Sequence, residues 1–177
     1  GGGAPGQQGL TVHRDRGRRF ARYGRPLYEP NAEGRRSPLS ESGVCIPRSM
    51  LMAMIDHARQ QAPLEACGIV AGKDGVATRF YPTENAERSP VRYSIPAREI
   101  LRILRELDAR GEDLYAIFHS HPATEAYPSA TDVRFAYYPD SYYLILSLAQ
   151  PQHPVLRAFR IRDGRISEAP VRILERD

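Results

Sequence analysis

The chain has 177 residues, 41% apolar and 26% charged, the balance of one soluble globular domain, and no run approaches the ~18 apolar residues of a membrane-spanning helix. Its net charge of +4 comes entirely from residues 1–43, which hold eight Arg and four acidic residues; the remainder sets 17 basic against 17 acidic groups, excluding a basic nucleic-acid face on the folded part. Two cysteines, Cys45 and Cys67, make no disulfide framework and, with no secretory signal at the start, predict a reducing cytoplasm.

Residues 1–43 contain nine Gly and four Pro with no apolar periodicity, and read as a flexible leader or linker; a polyanion could meet the arginines at 14–25, but a solvated tail fits the composition better. A domain is predicted over 44–177. It starts with a short strand at 44–47 and a helix at 48–60, on which Met50, Leu51, Met54, Ile55 and Ala58 share a face. A buried strand at 68–72, a turn at 73–75 and a returning strand at 76–81 make a hairpin. Pro96 opens a second helix, with Ile100, Ile103, Leu104 and Leu107 on one side and Gly111 as its stop. The apolar run 114–118 predicts a central strand that ends in His119-Ser120-His121-Pro122. Strands at 142–148, 155–162 and 165–174 complete the order. Two helices among six or seven strands imply an α+β or α/β sandwich.

Side chains two apart on an extended chain face the same way, so His119 and His121 present two imidazoles in parallel. Two neutral ring nitrogens bind one divalent metal at ~2.0–2.1 Å, and Asp132 can bring a carboxylate as third ligand; three protein ligands leave the fourth tetrahedral position to water, as in a catalytic zinc site. Pro122 turns the strand away, and residues 123–128 are long enough to return over the metal. Ser129-Ala130-Thr131-Asp132 is also a near match to a helix capping box, so both readings stay open. Gly68 to Lys73 is one residue short of a phosphate-binding loop, with Asp74 where Ser or Thr is needed. Cys67 reads as a small core residue. His13, His57 and His153 have no paired partner in the sequence, and Tyr137, Tyr138, Tyr142 and Tyr143 read as core and strand packing.

Glu65-Ala66-Cys67-Gly68, His119-Ser120-His121-Pro122, six residues, and Ser129-Ala130-Thr131-Asp132 together resemble the JAMM, or MPN-plus, zinc metalloprotease family over about residues 44–175. The resemblance implies a curved mixed β-sheet flanked by helices, a sandwich like that of cytidine deaminases. It also implies one Zn2+ per chain held by His119, His121 and Asp132, with Glu65 as general base for the zinc-bound water and Ser129 as a hydroxyl donor to the oxyanion. The activity implied is cleavage after the C-terminal Gly-Gly of a ubiquitin-like or sulfur-carrier protein, with no membrane or nucleic-acid partner. Only 53 residues separate Glu65 from His119, so the chain is similar to compact prokaryotic members. The alternatives are a non-catalytic scaffold of the same fold that binds ubiquitin-like partners, and a zinc hydrolase of small amide or amino-acid adducts. Gly1-Gly2-Gly3 fits either a cloning scar or the junction left by an upstream ubiquitin-like domain.

Overall fold

The computed structural model of the chain describes residues 43–176, so residues 1–42 of the leader, with its Gly1-Gly3 start, lie outside the described residues. In chain order the elements are β1 (Val44–Pro47), α1 (Arg48–Gln61), β2 (Cys67–Lys73), β3 (Val76–Thr83), α2 (Ala97–Arg110), β4 (Asp113–His121), α3 (Ala130–Arg134), β5 (Tyr142–Ser147), β6 (Val155–Arg162), β7 (Arg165–Ala169) and β8 (Val171–Leu174). All eight strands join one mixed sheet in the order β7-β6-β5-β4-β2-β3-β1-β8. The β4–β5, β1–β3 and β1–β8 pairs are parallel, and the others antiparallel. This is the expected curved mixed sheet with helices on its faces.

Strand alternation divides the core in two. Val70, Ala116, Phe118 and Leu144 point to the side covered by Met50, Met54 and Ala58 of α1. Cys67, Ile69, Ile117 and Tyr143 point to the other side, against Ile103 and Leu107 of α2. Helix α2 ends where Gly111 takes a left-handed conformation (φ +63°) that a residue without Cβ adopts at little cost. His119 and His121 share the parity of Ile117, so they lie on the α2 side, beyond the helix.

The predicted strand 165–174 is two strands, because Pro170 interrupts it. β7 stays with β6, whereas β8 pairs with β1 at the opposite edge, and the Pro170 carbonyl accepts the Val44 N–H at 2.8 Å. The two edge strands are therefore consecutive in the chain with one residue between them, which forces the sheet to curl almost closed. The cap-like segment after Ser129 forms α3, a third helix of one short turn.

Gly68 is needed for packing. A Cβ there would lie 2.5 Å from the Tyr81 carbonyl oxygen and 2.8 Å from the Phe80 ring. The oxygen belongs to the β2–β3 ladder and has no room to retreat. Gly68→Ala is expected to cost about 2–3 kcal/mol, read as a lowered urea midpoint at unchanged slope.

Candidate metal centre and cleft

Strand β4 is hydrogen-bonded on both sides, and its residues 114–121 are buried, so the imidazoles at its end have fixed positions. His119 Nε2 and His121 Nε2 lie 3.1 Å apart, and Asp132 Oδ2 is 3.1 Å from each. The three atoms form an equilateral triangle. Ligands at ~2.0–2.1 Å around a tetrahedral ion are about 3.3 Å from one another, so the spacing of the three atoms fits one small divalent cation. Among the described residues, this is the one cluster of three or more metal-ligating groups.

The surroundings select the same atoms. His121 Nδ1 lies 2.8 Å from the Glu125 carbonyl, which can only accept, so neutral His121 carries its proton on Nδ1 and turns the Nε2 lone pair to the triangle. Tyr93 stacks on His119, with centroids 4.4 Å apart and planes at 19°. Burial lowers the His119 pKa, an effect that hydrogen bonding to Asp132 only partly offsets. At His121 burial also acts downward, but hydrogen bonds to Asp132 and the Glu125 carbonyl prevail and raise it. At Asp132 burial pushes upward and is overcome by both histidines and the Ser129 N–H, which hold the carboxyl well below the usual range. Two lone-pair nitrogens and a carboxylate this close repel one another unless protons or a cation lie between them, so the donor set suits a metal.

The capping box forms, and it leaves Asp132 turned toward the histidines. Asp132 Oδ2 accepts the Ser129 N–H at 2.9 Å and Ser129 Oγ accepts the Asp132 N–H at 3.0 Å, a complete capping box that also aims Asp132 at the histidines. The Ser129 hydroxyl proton is left to donate outward. The loop between His121 and Ser129 is held on the same sheet face: Ser147 Oγ donates to the Thr124 carbonyl at 2.6 Å, Ala126 is buried, and Tyr127 packs edge-on against Phe159.

Glu65 arrives through the β2–β4 ladder. Cys67 pairs with His119, and one step further Ser120 N–H donates to the Ala66 carbonyl at 2.9 Å while Ala66 N–H donates to Ser120 Oγ at 2.8 Å, which brings Glu65 level with His121 on the same face. Its side chain is 3% exposed and Oε2 has no hydrogen-bond partner. Burial pushes its carboxyl up to about 8; the charge of His121 opposes this and that of Asp132 adds to it. A buried carboxyl that gains and loses its proton near neutrality can act as a proton carrier.

Beside the triangle lies a cavity of ≈ 350 Å³ whose wall includes Asp132, Tyr93, Ile95, Ile100, Ile117 and Tyr143, with Phe135 and Tyr137 also lining it. Tyr142 and Tyr143 are core residues as expected, but Tyr137 is 71% exposed and edges the cleft, so the tyrosine group is partly a surface feature. Cys67 is core as expected, its thiol pushed up to about 11 by burial. His57 meets the Cys67 carbonyl at 3.0 Å on the α1 side of the sheet, away from the triangle. Residues 68–73 are strand β2 and no phosphate loop.

Tyr93 and Asn85, which the motif spacing did not single out, also frame the site. Both lie in the loop between β3 and α2. Asn85 is buried, and its side chain contacts the backbone of Glu65 and of three loop residues.

A family profile described as prokaryotic homologs of the JAB domain matches residues 47–162. A CysO-cysteine peptidase of Mycobacterium tuberculosis is 43% identical over 132 residues, covering 73% of this chain and 90% of that protein. A desampylase of Haloferax volcanii is 35% identical over 102 residues, covering 54% of this chain and 73% of that protein. The solution structure of DSY2949 from Desulfitobacterium hafniense superposes with a TM-score of 0.69 at 39% identity, covering 75% of this chain and 93% of that one.

Proposed function

This chain belongs to the family of prokaryotic homologs of the JAB domain, and from that membership we propose that it is a zinc peptidase cleaving the bond after the C-terminal Gly-Gly of a ubiquitin-like or sulfur-carrier protein. The observation that carries this reading is the 3.1 Å triangle of His119, His121 and Asp132 with a buried, unpartnered carboxyl beside it and an apolar cleft leading away. The similar proteins named a CysO-cysteine peptidase and a desampylase support the substrate class. Residues 44–177 form the peptidase unit and 1–43 its leader.

His119 Nε2, His121 Nε2 and Asp132 Oδ2 would hold one Zn2+, which when bound would supply Lewis acidity and lower the pKa of a water to ~7. Glu65 takes a proton at its carboxylate and delivers it to the departing amine. Its burial keeps the proton within the site between these two transfers. Ser129 Oγ, already accepting the Asp132 N–H, turns its own proton toward the oxygen that gains charge. The cleft excludes water and accepts an extended tail, and two glycines without side chains are what lets backbone approach the triangle closely. The two free buried cysteines suit a reducing cytoplasm, and no helix among the described residues is long and apolar enough to cross a membrane.

The test is a ubiquitin-like protein carrying a peptide extension after its Gly-Gly. The metal-loaded chain should release the extension, a chelator should stop the release, and Zn2+ should restore it. Binding without cleavage that ignores the chelator would instead favour a scaffold, and hydrolysis confined to small amides an adduct hydrolase. The scaffold reading is weaker because three donor atoms suited to a metal lie 3.1 Å from one another, an arrangement that partner binding alone does not require. Ser129→Ala should lower kcat by about 10²–10³-fold, and, because the cap also aims Asp132, should weaken metal retention measurably in a chelator competition.

A further inference from the structure

The loop 84–96 has no regular secondary structure, yet it touches two parts of the proposed machinery. Its Tyr93 stacks on His119, and the Ser89 carbonyl accepts the Glu65 N–H at 2.9 Å. Asn85, 4% exposed, gives this loop its shape. Asn85 Nδ2 donates to the carbonyls of Glu65 at 3.0 Å and Arg92 at 2.9 Å, while Oδ1 accepts the N–H groups of Glu87 at 3.0 Å and Ser94 at 3.1 Å. An amide side chain offers two donor protons and two acceptor lone pairs, so Asn85 is saturated. An aspartate in its place keeps the acceptors and sets an oxygen against two carbonyls.

Glu65 and Ala66 are held by different elements. Ala66 is tied at both backbone groups to Ser120 of β4, whereas Glu65 donates to the loop through its N–H and accepts from Asn85 at its carbonyl. If the loop relaxes, Ala66 stays with β4 and Glu65 is free to pivot about it. We infer that Asn85 is a positioning residue for the hydrolysis proposed above, acting through Glu65: it holds the Glu65 carbonyl directly and, by shaping the loop that carries Ser89, the Glu65 N–H, so that the carboxyl faces the His119, His121, Asp132 triangle. Displacing a reacting group by about 1 Å is enough to cost ~10²-fold in rate.

This inference rests on the peptidase reading, and the experiment separates the two. Asn85→Asp and Asn85→Ala, made in the full metal-loaded chain, are assayed on the Gly-Gly-extended ubiquitin-like protein. Expected are a kcat lower by about 10²-fold, a KM within about threefold, unchanged metal content, and no further loss when Asn85→Ala is added to the residual rate of Glu65→Gln measured at high enzyme concentration. Independently of turnover, amide exchange should quicken at Glu65, Glu87 and Ser94 and stay unchanged along β4. The inference is overturned by wild-type kcat in both variants, by losses that multiply with Glu65→Gln, by activity that falls only with the folded or metal-loaded fraction, or by unchanged exchange at Glu65. Should the parent chain itself fail to cleave, the peptidase reading fails, and the exchange result still decides whether Asn85 fixes Glu65.

Discussion

Glu65→Gln is expected to abolish hydrolysis, by about 10³-fold or more, while the protein keeps its metal and, freed of metal, becomes more stable at neutral pH. The first part follows from chemistry: the amide has the shape of the carboxyl but no basic oxygen to carry a proton to the leaving amine. Metal retention follows from geometry, because the triangle is complete without Glu65. The third part has an unusual sign. Burial lifts the Glu65 carboxyl to about 8 from an ordinary value of 4.5, so between these limits the folded chain holds a proton that the unfolded chain has released. Stability therefore falls as pH rises through that window, by up to about 1.4 kcal/mol per pH unit, and levels off above it. Asp132 behaves oppositely: its depressed pKa stabilises the fold above the ordinary carboxylate range, and that contribution is lost as pH falls. Gln at 65 stays neutral and removes the decline. Urea unfolding in chelator at pH 5 and pH 8 measures it; equal pH dependence in parent and variant would mean that Glu65 is already ionised in the metal-free protein.

Asp132→Ala should release the metal and end activity together, both beyond about 10³-fold, and Asp132→Asn separates two roles that one carboxylate combines. Oδ2 accepts the Ser129 N–H and faces both histidines, so the alanine loses the helix cap as well as a ligand. Asparagine keeps an oxygen for the Ser129 N–H but has no negative charge for a cation. The asparagine variant should therefore hold α3 in place, within about 1 kcal/mol of the parent in chelator, yet carry little metal after dialysis. Full metal occupancy in Asp132→Asn would remove Asp132 from the set of ligands.

The parts of the site that are legible in the sequence are those whose chemistry is set by short spacing. His119 and His121 share a strand face because they are two apart, and the Ser129–Asp132 box closes within one helical turn. Glu65 came from a resemblance and not from spacing, since only the antiparallel register of β2 on β4 brings it beside His121. Asn85 and Tyr93 were not legible. A four-bond amide and a ring stacked on an imidazole look like any Asn and any Tyr until the loop between β3 and α2 folds over the sheet. The helices and most strands follow from periodicity, and the failure at 165–174 is instructive: apolar alternation runs through Pro170, but the missing N–H divides the segment into strands at opposite edges of the sheet. Tyr138 packs against the core as its neighbours do, whereas Tyr137 meets solvent, because adjacency in sequence says nothing of which ring faces outward.

The direction of the first strand has a practical consequence. Cys45 stands level with Val76, while Thr83 stands level with Cys67 and hence with His119, so Cys45, two residues into the described chain, is seven residues of strand, roughly 23 Å, from the level of His119 along the sheet. The described fold therefore begins at the pole of the sheet opposite the imidazoles, and a probe placed at Cys45 would report on that pole without touching the triangle.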